Sequence, residues 1–268
     1  MLLRSIISLK SDGGMEVEKL FCGKSYFSYP KPLLLLEMLI NSIDTKNEII
    51  LDFFAGSSTT AHAVMNINAQ DNGRRKFIMV QYPETCAENT EAKKNGYNNL
   101  CEIGTERIRL AGKDMPSNVD TGFKFFRVGT TNIKWNSIDK IGELVMEDMQ
   151  YTPDLLDFTL GANDIDIVYE LMLRQRDVPL SETLEQLFDI GNRTYLYASS
   201  YLVCLETEIT VELVNKLAQI DPLPIKFIFR DSAFKDDIAL KDETFRRLKA
   251  LIEKNAGNSK VTYTVEFI

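Results

Sequence analysis

The stretch from residue 48 to residue 67 limits what this chain can fold into more than any other. Glu48-Ile49-Ile50-Leu51-Asp52-Phe53-Phe54 is a run of apolar residues with one acid inside it. It leads into six small residues, Ala55-Gly56-Ser57-Ser58-Thr59-Thr60, and then into Ala61-His62-Ala63-Val64-Met65-Asn66-Ile67. A near-continuous apolar run reads as a strand, and the segment after the small residues reads as a helix. A second strand, Lys76 to Tyr82, follows the turn Asp71-Asn72-Gly73, so the order is that of a βαβ unit. Small residues after a strand let a ligand approach the backbone, and a helix N-terminus presents N–H groups and a positive dipole end. No Gly-Lys-Ser/Thr follows and no G-x-G-x-x-G is present, so the turn is neither a P-loop nor a dinucleotide fingerprint. It reads as a cradle for a nucleotide or for the amino-acid end of a nucleoside cofactor, weighed against ordinary tight packing.

The rest of the chain is read around that unit. A helix starts near Pro32 and carries the apolar run Leu33 to Ile43, and another covers Glu102 to Ala111, with polar loop over 85–100. Gly112, Pro116, Gly122 and Gly129 mark a boundary around a strand from Gly122 to Val128. Beyond it, helices are expected over Asp164 to Arg176, with Asn163 as N-cap, Ser181 to Phe188, Glu208 to Gln219 and Lys241 to Lys254. Strands are expected over Thr194 to Ala198, Tyr201 to Leu205, Ile225 to Arg230 and Lys260 to Ile268.

Charge narrows the possible partners. The 268 residues carry 31 Lys and Arg against 39 Asp and Glu. The imbalance lies in the second half: residues 1–120 hold 14 basic and 15 acidic side chains, residues 121–268 hold 17 and 24. A stand-alone nucleic-acid binder needs a basic excess, so contact with DNA is expected only through the first half or through another chain. One histidine and four scattered cysteines argue against a zinc site, and free thiols without an export signal read as cytoplasmic. The most apolar run, Leu33 to Ile40, is too short to span a bilayer.

Asp52-Phe53-Phe54-Ala55-Gly56-Ser57-Ser58-Thr59-Thr60 resembles motif I of amino-methylating DNA methyltransferases, whose usual form is D-x-F-x-G-S-G-T-T. Phe27-Ser28-Tyr29-Pro30-Lys31-Pro32-Leu33 resembles motif X of the same enzymes. Asn72 to Glu84, and Phe229 to Asp237, resemble segments of the Mod subunits of type III restriction–modification systems. The resemblance implies a bacterial DNA adenine-N6 methyltransferase of β-class motif order, built on a partial Rossmann-like α/β sheet that binds S-adenosylmethionine (AdoMet). It divides the chain into an N-terminal extension (1–19), an AdoMet-binding part (20–115) and a smaller α/β C-terminal domain (116–268). In that motif order the catalytic Asp-Pro-Pro-Tyr and the target-recognition region lie before motif X. Neither is found in this sequence, since Asp221-Pro222-Leu223-Pro224 lacks the aromatic residue and reads as a turn. The chain alone is therefore expected to be inactive. The expected partners are a chain supplying the N-terminal half, a second Mod subunit and the restriction subunit. The alternatives are a non-catalytic interaction module and a truncated remnant.

The cofactor-binding residues implied are Pro30, Lys31, Asp52, Phe53, Ala55, Gly56, Ser57, Thr59, Gln81 and Glu84. Asp52 either hydrogen-bonds the amino-acid part of AdoMet or organises the turn; Ser57 and Thr59 either offer hydroxyls or cap the helix. Lys31 lines the pocket or is solvated, and Glu84 meets a ribose or is a plain surface carboxylate. Ser58 stands where the family has glycine. If that position needs φ > 0, its Cβ costs on the order of 1 kcal/mol and AdoMet affinity falls. His62 reads as packing or capping. Arg74-Arg75-Lys76 reads as a phosphate contact or a solvated turn, and Tyr195 and Tyr197 as core.

Overall fold

A computed structural model of the chain describes residues 8–9, 12–135, 153–235, 237–257 and 260–268. The chain divides into two compact units, residues 1–126 and 127–268. Both mix helices and sheet.

The first unit holds β1 (Ile49–Asp52) and β2 (Lys76–Met79), parallel to each other and joined by helix α3 (Thr59–Asp71). One face of the pair is covered. Ile50 and Phe77 pack on Ala63, Val64 and Ile67 of α3 and on Leu33, Leu36 and Ile40 of α2 (Leu33–Asn41). Met79 and Phe77 pack with Ala61 and Met65 of α3 and with Ile108 and Ala111 of α5 (Leu100–Lys113). Two shorter helices complete the unit, α1 (Gly13–Leu20) and α4 (Glu91–Lys94). Val17 of α1 and Phe21 just after it bury against Ile103 of α5 and Ala92 of α4, so both belong to this core. Tyr26 closes on both Phe21 and Tyr97 at 5.0 Å between ring centroids. The other face of the β1–β2 pair is bare: Ile49 is 62 % exposed, Leu51 48 % and Ile78 49 %.

The second unit is a five-stranded sheet in the order β3-β4-β5-β6-β7, from Leu184–Gln186, Thr194–Tyr197, Tyr201–Cys204, Lys226–Phe229 and Thr264–Phe267. The first three strands run antiparallel and the last three parallel. Alternating side chains feed two cores. Leu202, Cys204, Phe227 and Phe229 face α7 (Val211–Leu217) and α8 (Ile238–Ala256). Tyr195, Tyr197, Val203 and Ile228 face α6 (Asp164–Gln175), as expected for core tyrosines. Asn163 caps α6, its side-chain oxygen accepting from the Asp166 N–H at 3.0 Å.

Three local expectations are corrected. Ser181 to Phe188 is not a helix; it contains β3. Leu184 packs into the α6 core and Leu187 into the α7/α8 core, on opposite sides of the sheet, which residues three apart on a helix cannot do. Residues 122–128 are not paired into a ladder with any described strand: the alternation extends the backbone, but no strand edge meets it. Residues 85–100 are not all loop, because Thr90 caps the short α4 by accepting from the Lys93 N–H. Among the described residues no helix is long and apolar enough to cross a membrane.

Candidate functional site

The turn between β1 and α3 is built by two left-handed residues. Gly56 has φ 52° and Ser58 has φ 58°, so the position where this sequence departs from glycine is one where glycine is favoured. A Cβ on Gly56 would meet the Phe27 ring at 3.1 Å, so the segment that resembles motif X lies over the turn that resembles motif I. Further bonds pin the turn. Gly56 N donates to Oε1 of Gln81 at 2.7 Å, Ala55 N to the Val80 carbonyl at 3.1 Å, and Ser58 N to the Ala55 carbonyl at 2.7 Å. Val80 N donates to the Asp52 carbonyl at 2.8 Å, which ties the end of β2 to the end of β1.

Asp52 organises the turn from the strand end. Oδ1 accepts from Phe54 N at 3.1 Å and Oδ2 from the Thr60 hydroxyl at 2.6 Å. The carboxylate stays half-buried. Ser57, Ser58, Thr59 and Thr60 are all buried, at 3–7 % exposure. Ser58 makes no side-chain cap to α3.

Beneath this turn sits a residue that the sequence reading missed. Arg107 of α5 is wholly buried. Its Nη1 donates to Oγ of Ser57 at 2.9 Å and to Oγ1 of Thr59 at 2.6 Å. Its Nε and Nη2 have no hydrogen-bond partner among the described residues. Burial pushes its pKa down to about 10 while Glu16 pulls it back up, so the group is still charged at neutral pH. The signal was present in the sequence. Ile103, Ile108 and Ala111 mark the apolar face of this helix, and an arginine on that face is out of pattern.

The other expected residues are placed unevenly. Gln81 is engaged with the turn itself, its Nε2 donating to the Tyr82 carbonyl at 2.9 Å. Pro30 is buried, with its carbonyl so close against Gly13 that a Cβ there would clash with it. Ala55 is buried, Phe53 is 64 % exposed, and Lys31 and Glu84 are exposed. Arg75 is neither a phosphate contact nor a solvated turn residue. It is buried and donates to both oxygens of Asp71, to the Thr45 carbonyl and to Oδ1 of Asn68. His62 packs in α3 with its Nδ1 buried and without a hydrogen-bond partner among the described residues.

Residues 9–109 match the model of the DNA methylase family of N6 and N4 type. The Mod subunit of the type III restriction–modification enzyme StyLTI from Salmonella typhimurium is 43 % identical over 129 residues, 46 % of this chain and 20 % of that protein. The EcoP15I Mod subunit of Escherichia coli is 39 % identical over 102 residues, 38 % of this chain and 15 % of that protein. The type II methyltransferase M.KpnI of Klebsiella pneumoniae is 35 % identical over 101 residues, 38 % of this chain and 24 % of that protein. The chain thus spans a quarter or less of the length of these relatives. The matched stretch contains the β1–α3 turn, Arg107 and the Phe27 segment, so residues 9–109 match a DNA methylase model and are similar to part of type III Mod subunits.

Proposed function

We propose that residues 20–115 form the AdoMet-binding part of a site-specific DNA adenine-N6 methyltransferase on a Rossmann-like sheet, with 116–268 as its C-terminal α/β domain. The observation that carries this reading is the turn after β1: two left-handed residues, a strand-end carboxylate and a ring over the glycine make a tight cradle at a helix N-terminus. The residues present fit the cofactor. Asp52 holds the turn and leaves its carboxylate half-buried beside the exposed Phe53, while the α3 N-terminus and the buried Arg107, two of whose nitrogens are without acceptors among the described residues, favour a negatively charged end group. When bound, AdoMet supplies the methyl group; this chain's own residues bind and orient it.

Asp-Pro-Pro-Tyr does not occur among the 268 residues, so the base-handling chemistry and target recognition must come from polypeptide beyond them, in the same chain or another. The bare face of β1–β2 supports this. A parallel pair is stable when both its faces are covered, and Ile49, Leu51 and Ile78 lie open to water. DNA is reached only in the complete enzyme, which is also where a second Mod subunit and the restriction subunit would dock.

Calorimetric titration with AdoMet tests the reading. Micromolar binding that Asp52→Ala abolishes, in a variant with unchanged circular dichroism, is the expected result. A folded wild-type chain that takes no AdoMet overturns it. A second reading, a non-catalytic interaction module, is favoured by the acidic second half, whose charge suits protein contact better than phosphate. Capture of a purified restriction subunit by a chain that does not bind AdoMet would put that reading first.

A further inference from the structure

Among the described residues the guanidinium of Arg107 hydrogen-bonds no carboxylate, Glu16 acting on it only through space, and two of its nitrogens lack any acceptor. A buried guanidinium with two donors left without acceptors is costly, so its place beneath the turn needs a reason. Its bonds to Ser57 and Thr59 supply one. A guanidinium only donates, so the oxygens of both hydroxyls act as acceptors toward it. Those oxygens lie 3.4 Å apart, and one hydroxyl can spend its hydrogen on the other. The second must then point its hydrogen elsewhere. Both belong to the turn that opens α3, a helix of 13 residues whose N-terminus adds positive potential at the same place. Three sources of positive potential therefore converge here: the guanidinium, a hydroxyl donor and the helix end.

We propose that Arg107 is the positioning residue that makes the 55–60 turn an anion receptor, polarising Ser57 and Thr59 toward the carboxylate of an amino-acid-bearing nucleoside. The inference rests on the AdoMet reading and deepens it, by assigning the preference for the carboxylate end to a side chain some fifty positions away in the sequence. Arg107 does not touch the ligand; it acts through the two hydroxyls.

AdoMet and decarboxylated AdoMet differ only in that carboxylate, so their affinity ratio isolates the effect. For the wild-type chain AdoMet should bind about tenfold tighter, the worth of one charge-assisted hydrogen bond. In Arg107→Met the ratio should fall to about two or less, with the affinity for decarboxylated AdoMet little changed; Arg107→Lys should keep part of the preference. A merely structural arginine would weaken both ligands alike, and that result, or an unchanged ratio in Arg107→Met, overturns the inference alone. A folded wild-type chain that binds neither ligand removes the cofactor reading and this inference with it. If Arg107→Met does not fold, Ser57→Ala/Thr59→Val reads the same ratio with the arginine in place, and there too the preference should be lost; a ratio that persists overturns the proposal.

Discussion

Gly104 of α5 lies so close to Ser58 that a Cβ on it would stand 2.6 Å from the Ser58 hydroxyl oxygen and 3.1 Å from the Gly56 carbonyl. The helix that carries Arg107 is therefore seated directly against both left-handed residues of the turn. Gly104→Ala should cost roughly 1–3 kcal/mol through overpacking. Ser58→Gly alone should stabilise the first unit by up to about 1 kcal/mol, since it releases a Cβ from φ 58°, and should tighten AdoMet binding. Combined, the two changes should cost less than their sum, because Ser58→Gly removes the nearer clash and leaves only the carbonyl. Denaturant unfolding of the four chains checks the stability cycle. An additive result would mean that the helix and the turn move apart to make room. An AdoMet dissociation constant that Ser58→Gly leaves unchanged would mean that its Cβ does not hinder the ligand.

The strand, the turn and the helix were legible because their signals are local: an apolar run, six small residues, then helix formers within twenty positions. The conformation of Ser58 was legible as a condition attached to its departure from glycine. What holds the turn was not. Gln81 and Arg107 reach it from 25 and about 50 residues away, and such distances leave no periodic trace. Only the mismatch of an arginine on an apolar helix face pointed to it. In the second unit, Ser181 to Phe188 is too short for its pattern to decide between helix and strand, and pairing with β4 decided it. Arg75 was misread because a run of three basic residues looks solvated until a buried asparagine and a carbonyl are seen to surround the middle one.

Arg75 is expected to be a stability residue with an acid-sensitive partner. The Arg75 side chain holds the Asp71 carboxyl below its usual range, chiefly by hydrogen bonding, and that outweighs desolvation. A carboxylate with a depressed folded pKa contributes stability that is complete above its unfolded pKa of about 3.9 and is lost as pH falls through the folded value. Asp71→Asn should therefore flatten the acid limb of the unfolding curve below about pH 4. Arg75→Met should cost roughly 2–4 kcal/mol at neutral pH, because the Thr45 carbonyl and Asn68 lose a donor in a buried place. Equal acid limbs in wild type and Asp71→Asn would remove the pair from the account.

In the second unit Arg230, fully buried, donates from Nε to Oδ2 of the equally buried Asp157 at 2.6 Å and from Nη1 to Asp154 at 2.6 Å. Ser232 donates to the same Asp157 oxygen. Removing one partner of such a pair leaves a desolvated charge, so Asp157→Ala should cost about 3–5 kcal/mol. Because the residues proposed to hold the cofactor lie in the first unit, AdoMet affinity should not change while the protein stays folded. Thermal unfolding followed by titration below the melting temperature measures both. A cost under 1 kcal/mol would show that Asp154 compensates on its own.

His62, the one histidine of the chain, offers a test that needs no ligand. Burial and the nearby Arg107 charge lower its pKa to about 4, and Asp114 only partly opposes them. An unfolded histidine titrates near 6.5. Between about pH 6.5 and pH 4 the unfolded chain therefore binds a proton that the folded chain refuses, and stability must fall as pH drops through that window. Above it the two states carry the same charge at this position and the contribution is flat. A single imidazole resonance should follow the transition, with a midpoint near 4 in the folded protein. His62→Gln should remove that part of the slope. Arg107→Met should raise the midpoint, because the guanidinium is one of the two causes that lower it. A midpoint close to 6.5 in the folded wild type would mean that the ring is hydrated and that the Arg107 charge does not act on it.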